Sequence, residues 1–387
     1  MNRKKIRKKG WRKMQFRDLK KQYEVLKESI DEAIRSTIET SSFIGGEPVK
    51  NLEKEMAGYI GVKHCISCAN GTDALTAAMM AWGIGVGDAV FVPDFTFFST
   101  GEIVAFEGAT PVFVDVDKDT FNISVESLEY QIKKIIAEGK LRPRAVIPVD
   151  LFGLPADYDR IYKIAKQYDL LILEDGAQGF GGELHGKKAC SFGDISTTSF
   201  FPAKPLGCYG DGGAIFTDDD DVAALLRSIC VHGKGTMKYD NVRIGMNSRL
   251  DTLQAAVLSV KFNAFRDYEL QAVNKVAEKY TEQLTGIVKT PVFAEGYLSS
   301  WAQYTIQLKS AEERDDLQTF LREKGIPTMI YYPKPMHCQD AFAELRSIDE
   351  EYPNTMQLCN TVLSLPMHPY MQEEDIAKVA DNIKEKL

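Results

Sequence analysis

Residues 145–174 read AVIPVDLFGLPADYDRIYKIAKQYDLLILE. An apolar run over Ala145–Val149 is followed by helical spacing over Ala156–Tyr168 and by a second apolar run, Leu170–Glu174. Strand, amphipathic helix and strand make a βαβ unit, whose two strands run parallel because the helix carries the chain back across the sheet. The same alternation extends in both directions. Upstream lie a strand at His64–Ala69, a helix from Gly71 to about Trp82, a strand at Asp88–Val92, a helix over Thr96–Phe106 and a strand at Thr110–Val116. Downstream, Asp194–Phe200 and Gly213–Thr217 read as two more strands. Near-continuous apolar strands separated by helices predict an α/β architecture, with a mostly parallel central sheet covered on both faces.

After Arg249 the pattern changes. Residues 250–285 read as one long helix, apolar at first and then charged. A strand (Gln303–Leu308), a helix (Ala311–Lys324), a strand near Thr328–Tyr332 and a final helix from Gln372 predict a smaller α+β domain. The expected division is a large domain over residues 14–260 and a small one over 261–387, in keeping with a 387-residue chain. Residues 1–13 hold eight Lys/Arg and no acid, and read as a disordered basic arm or a remnant of cloning. The chain as a whole carries a net charge of -8, so the body is acidic and no nucleic-acid surface is expected. No apolar stretch suits a membrane span or a secretory signal, and seven unclustered cysteines suit a reducing compartment; a cytoplasmic protein is expected. Cys65 and Cys68 form a CxxC, but inside a buried strand they read as structural. The five histidines show no metal-binding spacing, so no metal is expected.

Chemistry concentrates where strands end, the place at which open α/β sheets bind ligands. In Asn70-Gly-Thr-Asp-Ala-Leu75, Gly71 lets the backbone turn closely as a helix begins, which offers free N–H groups to an anion, with the Thr72 hydroxyl beside them. A plain N-capped helix has the same pattern. Phe97 follows a strand and can stack on a flat ring or simply fill the core. Asp175 ends the buried run Leu170-Leu-Ile-Leu-Glu-Asp175, where a carboxylate needs a partner; a ring nitrogen or a helix N-terminus would each provide one. Gln178 follows three residues on. Lys204 sits in Ser199-Phe-Phe-Pro-Ala-Lys-Pro-Leu-Gly207, held between prolines on a loop, and Ser199 leaves the same strand end. A lysine so confined suits Schiff-base chemistry, although a solvated loop lysine is the ordinary alternative. A phosphate cradle, an aromatic plate, an acid for a ring nitrogen and an amine are together the parts that pyridoxal phosphate requires.

These stretches resemble the DegT/DnrJ/EryC1/StrS family of sugar aminotransferases over nearly everything after Met14. Further matching stretches are Phe43-Ile-Gly-Gly46, Asn247-Ser-Arg-Leu-Asp-Thr-Leu-Gln-Ala-Ala256 and Tyr331-Tyr-Pro-Lys-Pro-Met-His337. The resemblance implies a fold-type I, aspartate-aminotransferase-like architecture and a homodimer. It implies that Gly71, Thr72 and Ser199 hold the phosphate, that Phe97 stacks on the ring, that Asp175 pairs with the ring nitrogen, and that Gln178 lies near the ring hydroxyl. Lys204 would form the internal aldimine, and Asn247 would reach the phosphate bound to the neighbouring subunit. Family members that are dehydratases carry histidine in place of this lysine, so Lys204 favours transamination. The resemblance further implies glutamate as amino donor and a UDP-linked 3-keto-2-acetamido uronic acid, or a similar 3-keto sugar, as acceptor, in surface polysaccharide biosynthesis. The alternatives are a 4-keto-sugar aminotransferase, a non-catalytic regulatory protein that holds the cofactor, and a lyase using Arg322 or Arg346 for a free amino acid. A uronate and a diphosphate both call for cations, and Arg243, Arg249, Lys234 and His337 are the candidates.

Overall fold

A computed structural model describes residues 14–237, 239–345 and 347–387; the basic arm 1–13 and Arg346 lie outside the described residues. Five strands open the sheet in chain order: β1 (His64–Cys68), β2 (Asp88–Pro93), β3 (Thr110–Val114), β4 (Arg142–Val146) and β5 (Leu171–Asp175). A two-residue pair, β6 (Glu183–Leu184) and β7 (Lys187–Lys188), precedes β8 (Ile195–Ser199) and β9 (Gly213–Thr217), and β10 (Tyr297–Leu298) later joins β6. The seven-stranded sheet runs β1-β9-β8-β5-β4-β2-β3, with β9 antiparallel to both of its neighbours and the other pairings parallel. Every residue of β2 and β9 is buried, as expected for strands covered on both faces. The second sheet pairs β11 (Tyr304–Gln307) with β12 (Val362–Leu365), antiparallel.

Several boundaries differ from the sequence reading, each for a local reason. β4 starts at Arg142 and ends at Val146, short of the expected Val149. The Arg142 guanidinium pairs with the buried Asp88 carboxylate at 2.7 Å, so a polar residue begins a core strand. Pro148 has no N–H with which to extend the ladder. The helix expected from Thr96 begins at Ser99, because Thr96–Phe98 form the turn and Thr96 Oγ1 lies 3.2 Å from Thr100 Oγ1. The strand expected near Thr328–Tyr332 reduces to one bridge, Met329 with Ser364, between Pro327 and Pro333. The helices Leu19–Thr40, Glu47–Ile60, Val125–Glu138 and Asp220–Ile229 were absent from that reading.

The long helix expected over 250–285 is Thr252–Ala264 and Leu270–Leu284, joined by one π-helical turn at Phe265–Glu269. The apolar core changes hands at this turn. Phe262 and Phe265 pack with Phe180, Phe200 and Phe216 on the large sheet. Val273, Val276, Tyr280 and Leu284 pack instead with Tyr304, Ile306, Leu363 and Leu365 of the small sheet. Met14, the first described residue, also joins that second cluster beside Ile376, Val379 and Ile383 of the last helix.

Candidate active site

The carboxyl ends of β1, β2, β5 and β8 open onto one cavity of about 700 Å³. Its wall includes Gly71, Thr72, Phe97, Asp175, Gln178, Ser199 and Lys204. Residues spread over more than 130 positions of sequence therefore converge, because parallel strands deliver their ends to one edge of the sheet.

The phosphate corner forms where β1 meets the helix Gly71–Trp82. Asn70 caps that helix, its side chain accepting from the Asp73 N–H at 2.8 Å, which leaves the N–H groups of the first turn facing the cavity side. A Cβ on residue 71 would fall 2.8 Å from the Ser199 Cβ, so only glycine lets β8 approach this helix start. Thr72 Oγ1 lies 3.0 Å from Ser99 Oγ, and Ser199 Oγ accepts from the Phe201 N–H at 3.3 Å. A close backbone, a helix N-terminus and three hydroxyls are a donor set suited to a phosphate.

Alternation along β5 sends its last two acids to opposite sides. Glu174 is fully buried away from the cavity. It accepts from the Phe192 N–H at 2.6 Å, the Gly193 N–H at 3.2 Å, the Ser196 hydroxyl at 2.7 Å and the Cys190 N–H. Asp175 points into the cavity, accepting from the Thr100 hydroxyl at 2.9 Å and the Ala177 N–H at 3.2 Å. Gly176 follows because a Cβ there would meet Cys190 Sγ at 2.6 Å and the Thr197 carbonyl at 2.9 Å. Burial pushes the Asp175 carboxyl above its usual range, against the Thr100 hydrogen bond and the Lys204 charge. A cation placed beside it would restore the carboxylate.

Lys204 hangs on the loop after β8, whose turn is closed by the Lys204 N–H donating to the Phe201 carbonyl at 2.9 Å. Burial pushes its amine below the ordinary 10.5; the charge of Asp175 works against this and that of Arg17 works with it. A larger share of neutral amine at working pH is what attack on an aldehyde needs. Cofactor uptake by the apo-protein is therefore expected to accelerate with rising pH, with its midpoint below 10.5. Stopped-flow absorbance across a pH series checks this, and a midpoint at or above that of a free lysine contradicts it.

Phe97 is 55 % exposed at the mouth of its turn, so one ring face is open to a flat ligand. Gln178 is buried, its oxygen accepting from the Phe152 N–H at 2.9 Å and its amide donating to the Tyr332 hydroxyl at 3.2 Å. The residues present fit pyridoxal phosphate: an anion cradle that a Cβ would fill, an open aromatic face, a buried acid and a low-pKa amine.

The expected sugar-binding cations fall elsewhere. His337 is a correction: it does not line the cavity, and its ring is buried between Asp94 at 2.6 Å and Asp349 at 3.0 Å. Lys234, Arg243, Asn247 and Arg249 sit exposed on the segment after the helix Asp220–Ile229, outside this chain's own cavity. Arg249 donates to the Asn247 side-chain oxygen at 2.7 Å, and Arg243 bonds to Ser228. Arg322 is exposed and also off the cavity, and Arg346, the other arginine of the lyase alternative, lies outside the described residues. Among the described residues, Lys204 and Lys334 are the cations that line it. The sequence reading missed Lys334, together with Thr100 and Tyr332. Lys334 and Tyr332 lie within the stretch Tyr331–His337 that carries the resemblance.

A family model described as the DegT/DnrJ/EryC1/StrS aminotransferase family matches residues 24–384. The chain belongs to this family. Its PLP-dependent aminotransferase chemistry and fold-type I architecture follow from that membership. Family relatives are similar from end to end. One, the UDP-2-acetamido-2-deoxy-3-oxo-D-glucuronate aminotransferase of Pseudomonas aeruginosa, is 42% identical over 94% of this chain and 97% of its own. The pleiotropic regulatory protein of Geobacillus stearothermophilus is 43% identical over 95% of this chain and 97% of its own. A solved structure of a family aminotransferase from Brucella abortus superposes with a TM-score of 0.94 at 49% identity, covering 96% of this chain and 99% of that one.

Proposed function

We propose that this aminotransferase moves the amino group of glutamate to the 3-keto carbon of a UDP-linked 2-acetamido uronic acid, or of a similar 3-keto sugar, in surface polysaccharide biosynthesis in the cytoplasm. The observation that carries the chemistry is the meeting of Lys204 and Asp175 with the Gly71–Ser199 cradle in one cavity. The similarity to the Pseudomonas aeruginosa enzyme supports the substrate class. No helix of the described residues is long and apolar enough to cross a membrane.

Bound pyridoxal phosphate supplies an aldehyde that carries the amino group and a ring that withdraws electrons. The protein does the rest. The N–H of Gly71 and the hydroxyls of Thr72 and Ser199 would hold the phosphate, Phe97 would cover one ring face, and Gln178 would orient the ring hydroxyl. Asp175 would keep a proton at the ring nitrogen. The Lys204 amine would take a proton from the donor's α-carbon as general base and deliver it as general acid to the carbon that was the cofactor's aldehyde. Lys334, which lines the same cavity and is ion-paired with the exposed Asp340 at 2.9 Å, would be the cation that exchanges this partner for a uronate or diphosphate.

Homodimer formation completes the site in this reading. Asn247, Arg243 and Arg249 share their exposed segment with Met237, Tyr239, Val242 and Ile244, the last 86 % exposed. Such an apolar surface beside cations suits an interface that inserts them into a partner's cavity.

One experiment tests the pairing and the substrate together. Lys204→Ala and Asn247→Ala chains, each weak alone, are mixed, and ¹⁵N transfer from glutamate to a UDP-3-keto sugar is read by mass spectrometry. Hybrids regain one intact site, so activity should reappear on mixing. No gain contradicts the shared site, and preference for a 4-keto sugar contradicts the acceptor. The Geobacillus stearothermophilus relative, named as a regulator, favours a second reading in which cofactor is held without turnover; absence of transfer from any keto sugar by the wild type would support it.

A further inference from the structure

We propose that His337, Cys338 and Asp349 form a binding site for a zinc-type divalent cation on the outer side of the cavity rim. Their ligand atoms lie within 4.8 Å of one another. His337 Nε2 is 3.3 Å from Cys338 Sγ and 3.0 Å from Asp349 Oδ1, and Cys338 Sγ is 3.8 Å from Asp349 Oδ1. Zinc bonded to sulfur, nitrogen and oxygen at their ordinary lengths sets tetrahedral edges of about 3.3–3.6 Å. The three separations bracket that range, so a cation fits at their centre with small adjustments.

The surroundings are those of a metal ligand. Zinc-bound imidazole normally gives its other N–H to a carboxylate, which fixes the tautomer and aims the ring. Here His337 Nδ1 meets Asp94 Oδ2 at 2.6 Å, and Asp94 Oδ1 also accepts the His337 backbone N–H at 2.8 Å. The Asp94 side chain is fully buried and that of His337 is 2 % exposed. Tyr352 stacks on the imidazole at 4.4 Å between centroids, holding its plane. With Nδ1 committed inward, Nε2 presents its lone pair beside the thiol. Asp349 is 60 % exposed, which leaves the fourth position open to water.

An imidazolium held between Asp94 and Asp349 accounts for the two carboxylates, but it gives Cys338 no role. Nitrogen, sulfur and oxygen donors together select zinc over magnesium or calcium. Motif spacing conceals the site, because two ligands are adjacent and the third comes eleven residues later.

The test uses holoenzyme and needs no turnover. Of the seven cysteines, six are buried and Cys338 is the partly exposed one. Alkylation of Cys338, followed by peptide mass spectrometry, is measured with and without one equivalent of zinc, then after a chelator. Zinc is expected to slow alkylation at least about tenfold, since a metal-bound thiolate is withheld from the reagent, and chelation should restore it. Metal analysis after dialysis should give one zinc per chain in the wild type and none in Cys338→Ala or Asp349→Ala. Unchanged alkylation, or undiminished zinc in either variant, overturns the proposal and leaves the imidazolium pair in its place.

Discussion

Replacing Lys204 by alanine should abolish amino transfer, lowering turnover at least about 10⁴-fold, because the variant loses both the amine that bonds the cofactor and the general acid/base. The fold should persist. The loop is closed by the Lys204 backbone N–H, which alanine retains, and among the described residues the amine makes no side-chain hydrogen bond. The phosphate corner is untouched, so the variant should still bind pyridoxal phosphate without a covalent bond. Equilibrium dialysis and a steady-state assay separate these two outcomes. A variant that keeps a tenth of wild-type turnover contradicts the role given to Lys204, whereas one that loses both cofactor and stability would assign it a structural role.

Asp175→Asn should be the next most damaging change. The carboxyl is buried and already strained toward its neutral form by that burial, so a positively charged ring nitrogen gains a partner that few other surroundings would offer. Removing one member of a buried charge pair costs about 3–5 kcal/mol, a factor of about 10²–10³ or more. Asparagine preserves shape: its oxygen can still accept from the Ala177 N–H, and its NH2 takes the place of the oxygen that Thr100 approaches, where the Thr100 hydroxyl can turn towards Thr96 and accept instead. Thermal stability of the apo-protein should therefore change little while kcat falls by that factor. A fall of less than tenfold contradicts a proton held at the ring nitrogen.

The parts of the fold legible in the sequence were those written in two-residue and helical periods. β5 and the helix ahead of it announce themselves because Leu170-Leu-Ile-Leu173 is an unbroken apolar run and Asp157 caps the helix. β4 was misplaced because its first residues are Arg142 and Pro143, and only the Asp88 carboxylate across the sheet explains the arginine. The helix Leu19–Thr40 escaped notice because its stripe is sparse: Gln22, Ile30 and Thr37 are its buried residues. In the site, Gly71, Asp175 and Lys204 were legible because close approach, buried charge and a proline-bounded loop each leave a local mark. Thr100 was not, since its bond to Asp175 spans 75 positions and follows from how the turn at Thr96–Phe98 folds. Cations were read least well. Arginines at 243 and 249 look free in a list of residues, but they stand outside their own chain's cavity, while Lys334 lines it.

The account rests on a covalent bond at one side chain, and borohydride reduction of the wild-type holoenzyme followed by peptide mass spectrometry reads that bond directly. A phosphopyridoxyl group on Lys204, and no other modified lysine, is the predicted result. An unmodified Lys204 peptide, or a group carried by Lys334 across the same cavity, would contradict it.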